Sequence, residues 1–572
     1  MCLFPLDITE RDMPALLTKI TAFFTAVVLF FTGIITSFYP RIPDAEPLSE
    51  LEDYRITKKL DLGEDIYVVN PGGHSEEEIR CLISLQGLVA KKNPCIYIAF
   101  NSVHRSYLNE LEQMGKNLIR QDGEGKDWNL YSLIEKFMPC ITDRGCVVWE
   151  KSEFAYSLNV AVNFATVYGW LPVTREVLDK LGEGVLTVKK DLTTETNDLN
   201  LQKKYFDELK DKFNPGAVIH VKYTQPGVRD LAIQQGWYCC YTGSDDSGMR
   251  FLKKVAKYFG ENTRFLGWVQ SEKKCVSLLS KQGCTLTPVD YSENTSYLCH
   301  VDVPVVKQES NAVAHTDETK HYVCLLFSDG DNVQWIMNNG YGEYFDKVDN
   351  LNDVKMNWTF SPVANEFSPL IHNKIYNSAG MTNTFVCGPS GVAYANPSQF
   401  KKSALDKYSR DTAAAMLKSN QRIITILDDY YLRKEADMIY SFGYFSRYDN
   451  IDGGLLYLDP DRYEAGKGRI WFSNDKPFVS TRLSLWNSDG YDGATDEWIK
   501  QQADIVNGYP VDIHSINGYS LICVHAWTMK TESIGKFVDA LGDNVEILSA
   551  EDFIETISAN VPHNNTVPDT AE

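Results

Sequence analysis

Apolar and polar positions divide this chain into two rhythms separated by a polar stretch. Between residues 41 and 301, short apolar runs alternate with segments whose apolar positions recur every three or four residues. "DIYVVN", "CIYIAF", "GCVVWE", "VLTVKK", "AVIHVKY", "RFLGWV" and "CTLTPVDY" predict strands. "SEEEIRCLISLQGLVAKK", with Ser75 as N-cap, "NLQKKYFDELKDKF" and "GMRFLKKVAKYFG" predict amphipathic helices. Such a βαβα order implies parallel sheet with helical cover. Residues 302–320, "DVPVVKQESNAVAHTDETK", are mostly polar and aperiodic, and read as a linker.

From residue 321 the rhythm restarts with "YVCLLF", "KMNWTF", "TNTFV", "RIITIL", "GGLLYL", "PFVSTRL", "YSLICVHAW" and "NVEIL". Eight runs over roughly 240 residues match a (β/α)8 barrel of TIM type. A seven-stranded form fits equally well because "NVEIL" is weak, and an open doubly wound sheet is the third choice. The predicted fold class is therefore α/β: an N-terminal α/β region (41–301), a linker (302–320), a barrel-like catalytic domain (321–560) and a polar tail (561–572).

Residues 1–40 follow a different rule. From Ile20 to Phe38 there is no charge, close to the roughly 20 residues of a spanning helix. No A-x-A-like cleavage site follows, which favours a signal anchor, whereas initiation at Met13 would leave "MPALLTK", the start of a cleaved signal peptide. Both predict export, to the cell surface or beyond, with membrane contact through this segment alone. The third reading is a buried helix.

Composition narrows the functional classes. With 44% hydrophobic and 23% charged residues the chain can build sizeable cores, and a net charge of −21 argues against a nucleic-acid partner, which needs clustered Lys and Arg. The thirteen cysteines include neither a CxxC pair nor a Cys/His zinc spacing. Few disulfides are expected, and no cofactor or metal ligand is assigned.

Barrel active sites occupy the loops after the strands' C-terminal ends. The first run is followed by "SDGDNVQW", with Asp329, Asp331, Asn332 and Trp335. The second leads through "SPVANEF" to Glu366, and the third enters "CGPSGVAYANPSQF", which holds Ser390 and Tyr394. "LDDYY" supplies Asp428, Asp429, Tyr430 and Tyr431; "LDPDRY" supplies Asp459 and Asp461; "VHAW" supplies His525 and Trp527. In the N-terminal region, Trp268 also lies at a predicted strand end.

Each stretch also has a plainer reading. "GPSG" lacks the G-K-[ST] of a phosphate loop and the spacing of a G-x-S-x-G elbow, so it reads as a turn, with Gly391 at positive φ and Pro397-Ser398 opening a helix. "SDGDN" lacks the glutamate that completes an EF-hand and is either a tight turn or a pair of carboxylates facing the same way. Like charges so close raise one pKa, which suits a general acid. "LDDYY" is either a helix cap or an acidic and aromatic surface of the kind a sugar needs, and His525 is either a core histidine or a site residue.

The residues resemble the GxGYxYP family, whose members are described as glycoside hydrolases. The naming motif matches "GVAYANP" at Gly391, Tyr394 and Pro397, with Ala393 in place of glycine and Asn396 in place of tyrosine; "LGW" (Leu266–Trp268), "SDGDN" and "HAW" extend the resemblance across residues 50–555. The resemblance implies an α/β N-terminal region, a barrel-like C-terminal region and a carbohydrate substrate. The resulting expectation is a glycosidase in which Asp329 or Asp331 acts with Asp428, Asp429 or Glu366, one carboxyl protonating the leaving oxygen. Trp335, Tyr394 and Trp527 would line sugar subsites, with Ser390, Tyr430, His525 and Trp268 as further substrate contacts. Two alternatives stand beside it. A metal-dependent deacetylase is motivated by Asp329, Asp331 and His525 but lacks an H-x3-H-like pair; the other is a glycan-binding protein without catalysis.

Overall fold

The computed structural model describes residues 41–49, 53–338, 340, 354–380, 382–429, 435–487 and 494–564. The apolar segment 20–38, Tyr430 and Tyr431 lie outside the described residues. Among those described, no helix is long and apolar enough to cross a membrane, and all twelve cysteines are free.

Three small sheets precede the barrel. β1 (Asp65–Val69), β2 (Ile96–Ile98) and β3 (Asn117–Ile119) lie in the order β2-β1-β3, and β4 (Gly145–Val148), β5 (Leu171–Val173) and β6 (Thr187–Asp191) in the order β5-β4-β6. β7 (Ala217–His220), β8 (Tyr238–Cys240), β9 (Arg264–Gly267) and β10 (Thr285–Thr287) form a third sheet, β10-β9-β7-β8. Every ladder in them is parallel, as the alternating pattern predicts. β3, β5 and β8, each of three residues, escape the sequence reading. The helix Glu76–Ala90 starts where the pattern places it, with Ser75 and Glu78 forming a capping box.

The second half is a closed barrel of seven parallel strands. β11 (His321–Phe327), β12 (Met356–Phe360), β13 (Asn383–Cys387), β14 (Ile423–Asp429) and β15 (Gly453–Asp459) pair in chain order. β16 (Ile470–Ser473) is an antiparallel partner of β17 (Lys476–Leu485), and β18 (Tyr519–Val524) returns the sheet to β11. Closure comes from Leu326↔Asn357 and Phe327↔Trp358. β19 (Val545–Ile547) pairs only with the first half of β11, on the edge that β12 occupies further along. The weak eighth run is thus a short strand outside the ring. β11, β12 and β18 are buried at every position; β11 is apolar from Tyr322 to Phe327, whereas β12 (MNWTF) alternates and satisfies its buried Asn357 and Thr359 by hydrogen bonds to the Leu325 and Phe327 carbonyls, at 3.0 and 2.8 Å.

The third sheet's unit sits on the C-terminal end of this barrel. Leu286 and Tyr394 exchange backbone hydrogen bonds of 2.8 and 2.9 Å, joining β10 to the loop after β13. Ser280 Oγ accepts from the Asn396 amide at 3.0 Å, and Ser277 Oγ donates to Gln399 at 2.7 Å. The helix Glu272–Lys281 therefore lies along the 387–400 loop.

Candidate active site at the barrel mouth

Asp329 and Asp331 reach the barrel mouth because "SDGDN" turns tightly after β11. Gly330 makes the turn possible: a Cβ there would lie 1.7 Å from the Thr359 carbonyl oxygen, so only glycine lets the loop press against the end of β12. The Gly330 amide donates to Thr359 Oγ1 at 2.9 Å. Asp329 takes a left-handed backbone conformation, φ 67°, which aspartate tolerates better than most residues. Its carboxylate accepts from Trp527 Nε1 at 2.8 Å and from the Ser328 hydroxyl. Ser328 Oγ in turn accepts from the Ala526 amide at 3.1 Å, fixing the carboxylate against the end of β18.

These residues line a cleft of about 440 Å³ between the barrel and the third unit. The barrel contributes Asp329, Asp331, Tyr394, Tyr457, Tyr463 and Trp527, and the covering unit contributes Trp268, Glu272, Asp290 and Tyr291. Tyr463 stacks on Tyr457 at 4.9 Å, and the Tyr457 hydroxyl is anchored on the Leu326 carbonyl at 3.0 Å. A smaller lobe of about 240 Å³ shares Glu272, Tyr394 and Tyr463 with the first and adds Asp428, Asp429 and Trp486. Lys273 bridges Asp429 and Asp459 there, at 3.3 and 3.6 Å. A larger hollow, about 650 Å³, lies near residues 44–48 and 446–450 at the opposite end of the strands, the end that reads as structural in such barrels.

The cleft's electrostatics separate its carboxyls. Asp331 is driven well above the ordinary carboxylate range, first by burial and then by the negative charges of Asp329 and Glu272. Burial also raises Glu272, while the Tyr394 hydroxyl, donating at 2.8 Å, pulls it back down. Asp290 is pushed up to about 6 and Asp428 to about 7, both chiefly by burial. Asp428 accepts from the amide and hydroxyl of Ser398, both at 2.8 Å, so it also shapes the loop that carries Tyr394.

Several sequence-predicted residues lie elsewhere. Glu366 is corrected: it is fully buried, paired with Arg264 at 2.9 Å and bonded to the amides of Ile56 and Thr57 at 2.8 and 2.9 Å, so it ties the covering unit to the barrel. Ser390 is corrected as well. It is fully buried, its hydroxyl donating to the Leu427 carbonyl at 3.0 Å and accepting from the Leu427 amide at 2.8 Å. Gly391 has φ 100°, as the turn reading requires, and a Cβ would meet Thr412 at 2.7 Å. Trp335 packs on Trp527 at 5.4 Å rather than lining the cleft. His525 stacks on Trp486 at 3.7 Å, shares a 3.1 Å hydrogen bond with Thr528, and is lowered in pKa by burial, so it supports the wall of the smaller lobe. Asp461 is exposed outside both lobes. Among the described residues no group of three or more His, Cys, Asp or Glu side chains is placed to hold a metal ion.

Glu272 and Asp290 were missed. Glu272 opens a helix, where an acidic residue is ordinary. Asp290-Tyr291, following β10, is an acidic–aromatic pair after a strand, the signal used for the barrel loops, and could have been found the same way.

The comparisons with known proteins agree with this division. The model for "GxGYxYP putative glycoside hydrolase C-terminal domain" matches residues 319–558, and that for "GxGYxYP third domain" matches residues 217–300, the unit over the mouth. A crystal structure of a "putative hydrolase" from Bacteroides thetaiotaomicron VPI-5482 is 23% identical, with a TM-score of 0.78 over 91% of this chain and 99% of that one, and so has the same fold. Among curated proteins none matches the chain.

Proposed function

This chain belongs to the GxGYxYP family, and on that premise we propose that it hydrolyses glycosidic bonds of a glycan or polysaccharide held in the barrel-mouth cleft. The observation that carries this reading is the convergence of Asp329, Asp331 and Glu272 with Trp268, Tyr394 and Trp527 in one cleft. Carboxylates hydrogen-bond sugar hydroxyls and move protons, and aromatic faces cover the apolar side of a pyranose. Asp331 serves as the acid: its burial beside two other carboxyls keeps a proton on it, ready for the leaving glycosidic oxygen. Asp329, held by Trp527 and Ser328, stands next to it as a fixed negative charge for the developing oxocarbenium ion.

The test is release of new reducing ends from a panel of polysaccharides and host glycans. The purified chain is expected to cleave at least one, and Asp331→Asn to cleave it about 10²- to 10⁴-fold more slowly. Saturable binding of a panel glycan with no turnover would instead make the cleft a lectin-like groove. Export rests on the uncharged segment 20–38 alone, and fractionation of the producing cells tests it.

A further inference from the structure

One wall of the cleft does not belong to the barrel. Glu272, the first residue of the helix Glu272–Lys281, lines both lobes. One of its oxygens accepts from the Tyr394 hydroxyl at 2.8 Å, and among the described residues no other hydrogen bond reaches the carboxylate. The helix start favours negative charge there. Lys273, beside it, is tied to Asp429 and Asp459, and Ser277 and Ser280 fasten the rest of the helix to the 387–400 loop, so Glu272 is held rather than free to swing away. Asp290, from the same unit and only 2% exposed, leaves Oδ1 without a hydrogen-bond partner, although its other oxygen accepts from Gln225 at 2.6 Å. A buried unpaired acceptor in a cleft wall is complementary to a donor such as a sugar hydroxyl.

Building on the hydrolase reading, we infer that Glu272 is the second catalytic carboxylate, acting with Asp331, and that Tyr394 is the residue that positions it. The third N-terminal unit then supplies half of the catalytic pair instead of merely roofing the barrel. Asp331 gives its proton to the glycosidic oxygen as the bond from C1 to that oxygen breaks. Ionised Glu272 either bonds C1 or takes a proton from the water that attacks C1. In the first course a water then displaces Glu272 from C1, and Asp331 regains its proton from that water. In the second, Glu272 ends protonated, Asp331 ends ionised, and exchange with solvent resets both. Burial raises both groups, and at Glu272 the Tyr394 hydroxyl acts against that rise by donating to the carboxylate. The inference also gives the family's motif tyrosine a task, since Tyr394 touches the barrel loop, β10 and Glu272 at once.

The full chain tests it, on whichever panel glycan the wild type cleaves. Glu272→Gln is expected to lower kcat/KM about 10³-fold without moving the thermal midpoint, and to erase the acidic limb of the pH profile. Tyr394→Phe, which keeps the ring but removes the hydroxyl, is expected to move that limb to higher pH, because a carboxylate that loses a donor becomes harder to ionise. No hydrolysis by the wild type overturns the hydrolase reading and this role with it. Wild-type hydrolysis with Glu272→Gln within tenfold of it overturns the role alone. Should Glu272→Gln fail to fold, Tyr394→Phe decides: an acidic limb left in place removes Glu272 from the reaction.

Discussion

Asp331 and Glu366 share one functional group and both sit in or after the loops at the barrel mouth, yet their surroundings give them opposite duties. Asp331 lies beside Asp329 and Glu272 in a cleft, where burial and like charge keep it protonated. Glu366 faces Arg264, whose second nitrogen donates to the Tyr54 carbonyl at 2.7 Å, and two amides complete its coordination. Removing one partner of such a buried pair strands the other charge, at a cost of about 3–5 kcal/mol. Glu366→Gln should therefore lower unfolding free energy by about 3 kcal/mol in denaturant titrations and leave activity per folded molecule unchanged. A large activity loss at full stability would return Glu366 to the site. The two acids look alike in sequence because the distinguishing partner, Arg264, lies 102 positions away.

At the scale of elements, the loop after β11 and the loop after β13 do the positioning. The first depends on Gly330, for which no other side chain has room against Thr359. Gly330→Ala must push β11 and β12 apart where the barrel closes, at Leu326↔Asn357 and Phe327↔Trp358. A loss of about 2–4 kcal/mol is expected, together with weakened glycan turnover because Asp329 and Asp331 flank the displaced residue. Unaltered stability and activity would mean that the turn relaxes without disturbing either. The second loop was legible as a turn, but its destination was not. "CGPSGVAYANPSQF" forms the ridge on which the helix Glu272–Lys281 and β10 dock. Its Ser390 is consumed in bonding the end of β14, while Tyr394 reaches across to Glu272.

For the whole molecule, buried titratable groups set the response to pH. His104, His220, His300, His321 and His372 are each lowered by burial to about 4. In the unfolded chain they bind protons up to about pH 6.5, so between pH 4 and 6.5 the unfolded state holds more of these protons and stability rises with pH. Asp290, Asp428 and Glu293 oppose this. Raised to about 6, 7 and 8, chiefly by burial, they hold protons that the unfolded chain has released above about pH 4, so each lowers stability as pH climbs to its folded value. Five histidines outweigh three acids below pH 6, and above 6.5 Asp428 and Glu293 of these eight are still releasing their protons. The thermal midpoint should therefore climb from pH 4, crest near 6.5 and decline toward 7.5, and Asp428→Asn combined with Glu293→Gln should flatten the decline. A midpoint that falls steadily from pH 4 would show that the histidines are not held neutral.

The sequence by itself determined the layered architecture, because a strand buried on both faces is mostly apolar and a covering helix must be apolar on one side. Those constraints act within a dozen residues, so the barrel strands, the Ser75 cap and the Asp329-Asp331 turn could all be read locally. The tertiary structure alone decided that the N-terminal region folds as three sheets rather than one, that β19 stays outside a seven-stranded ring, and that the third unit brings Glu272 and Asp290 to the barrel's acids. Each of these depends on which edges and faces meet across long stretches of chain, and no local period records that. The same holds for protonation. A carboxyl's type is written in the sequence, but whether it stays charged is set by the burial and neighbouring charges that folding assembles around it.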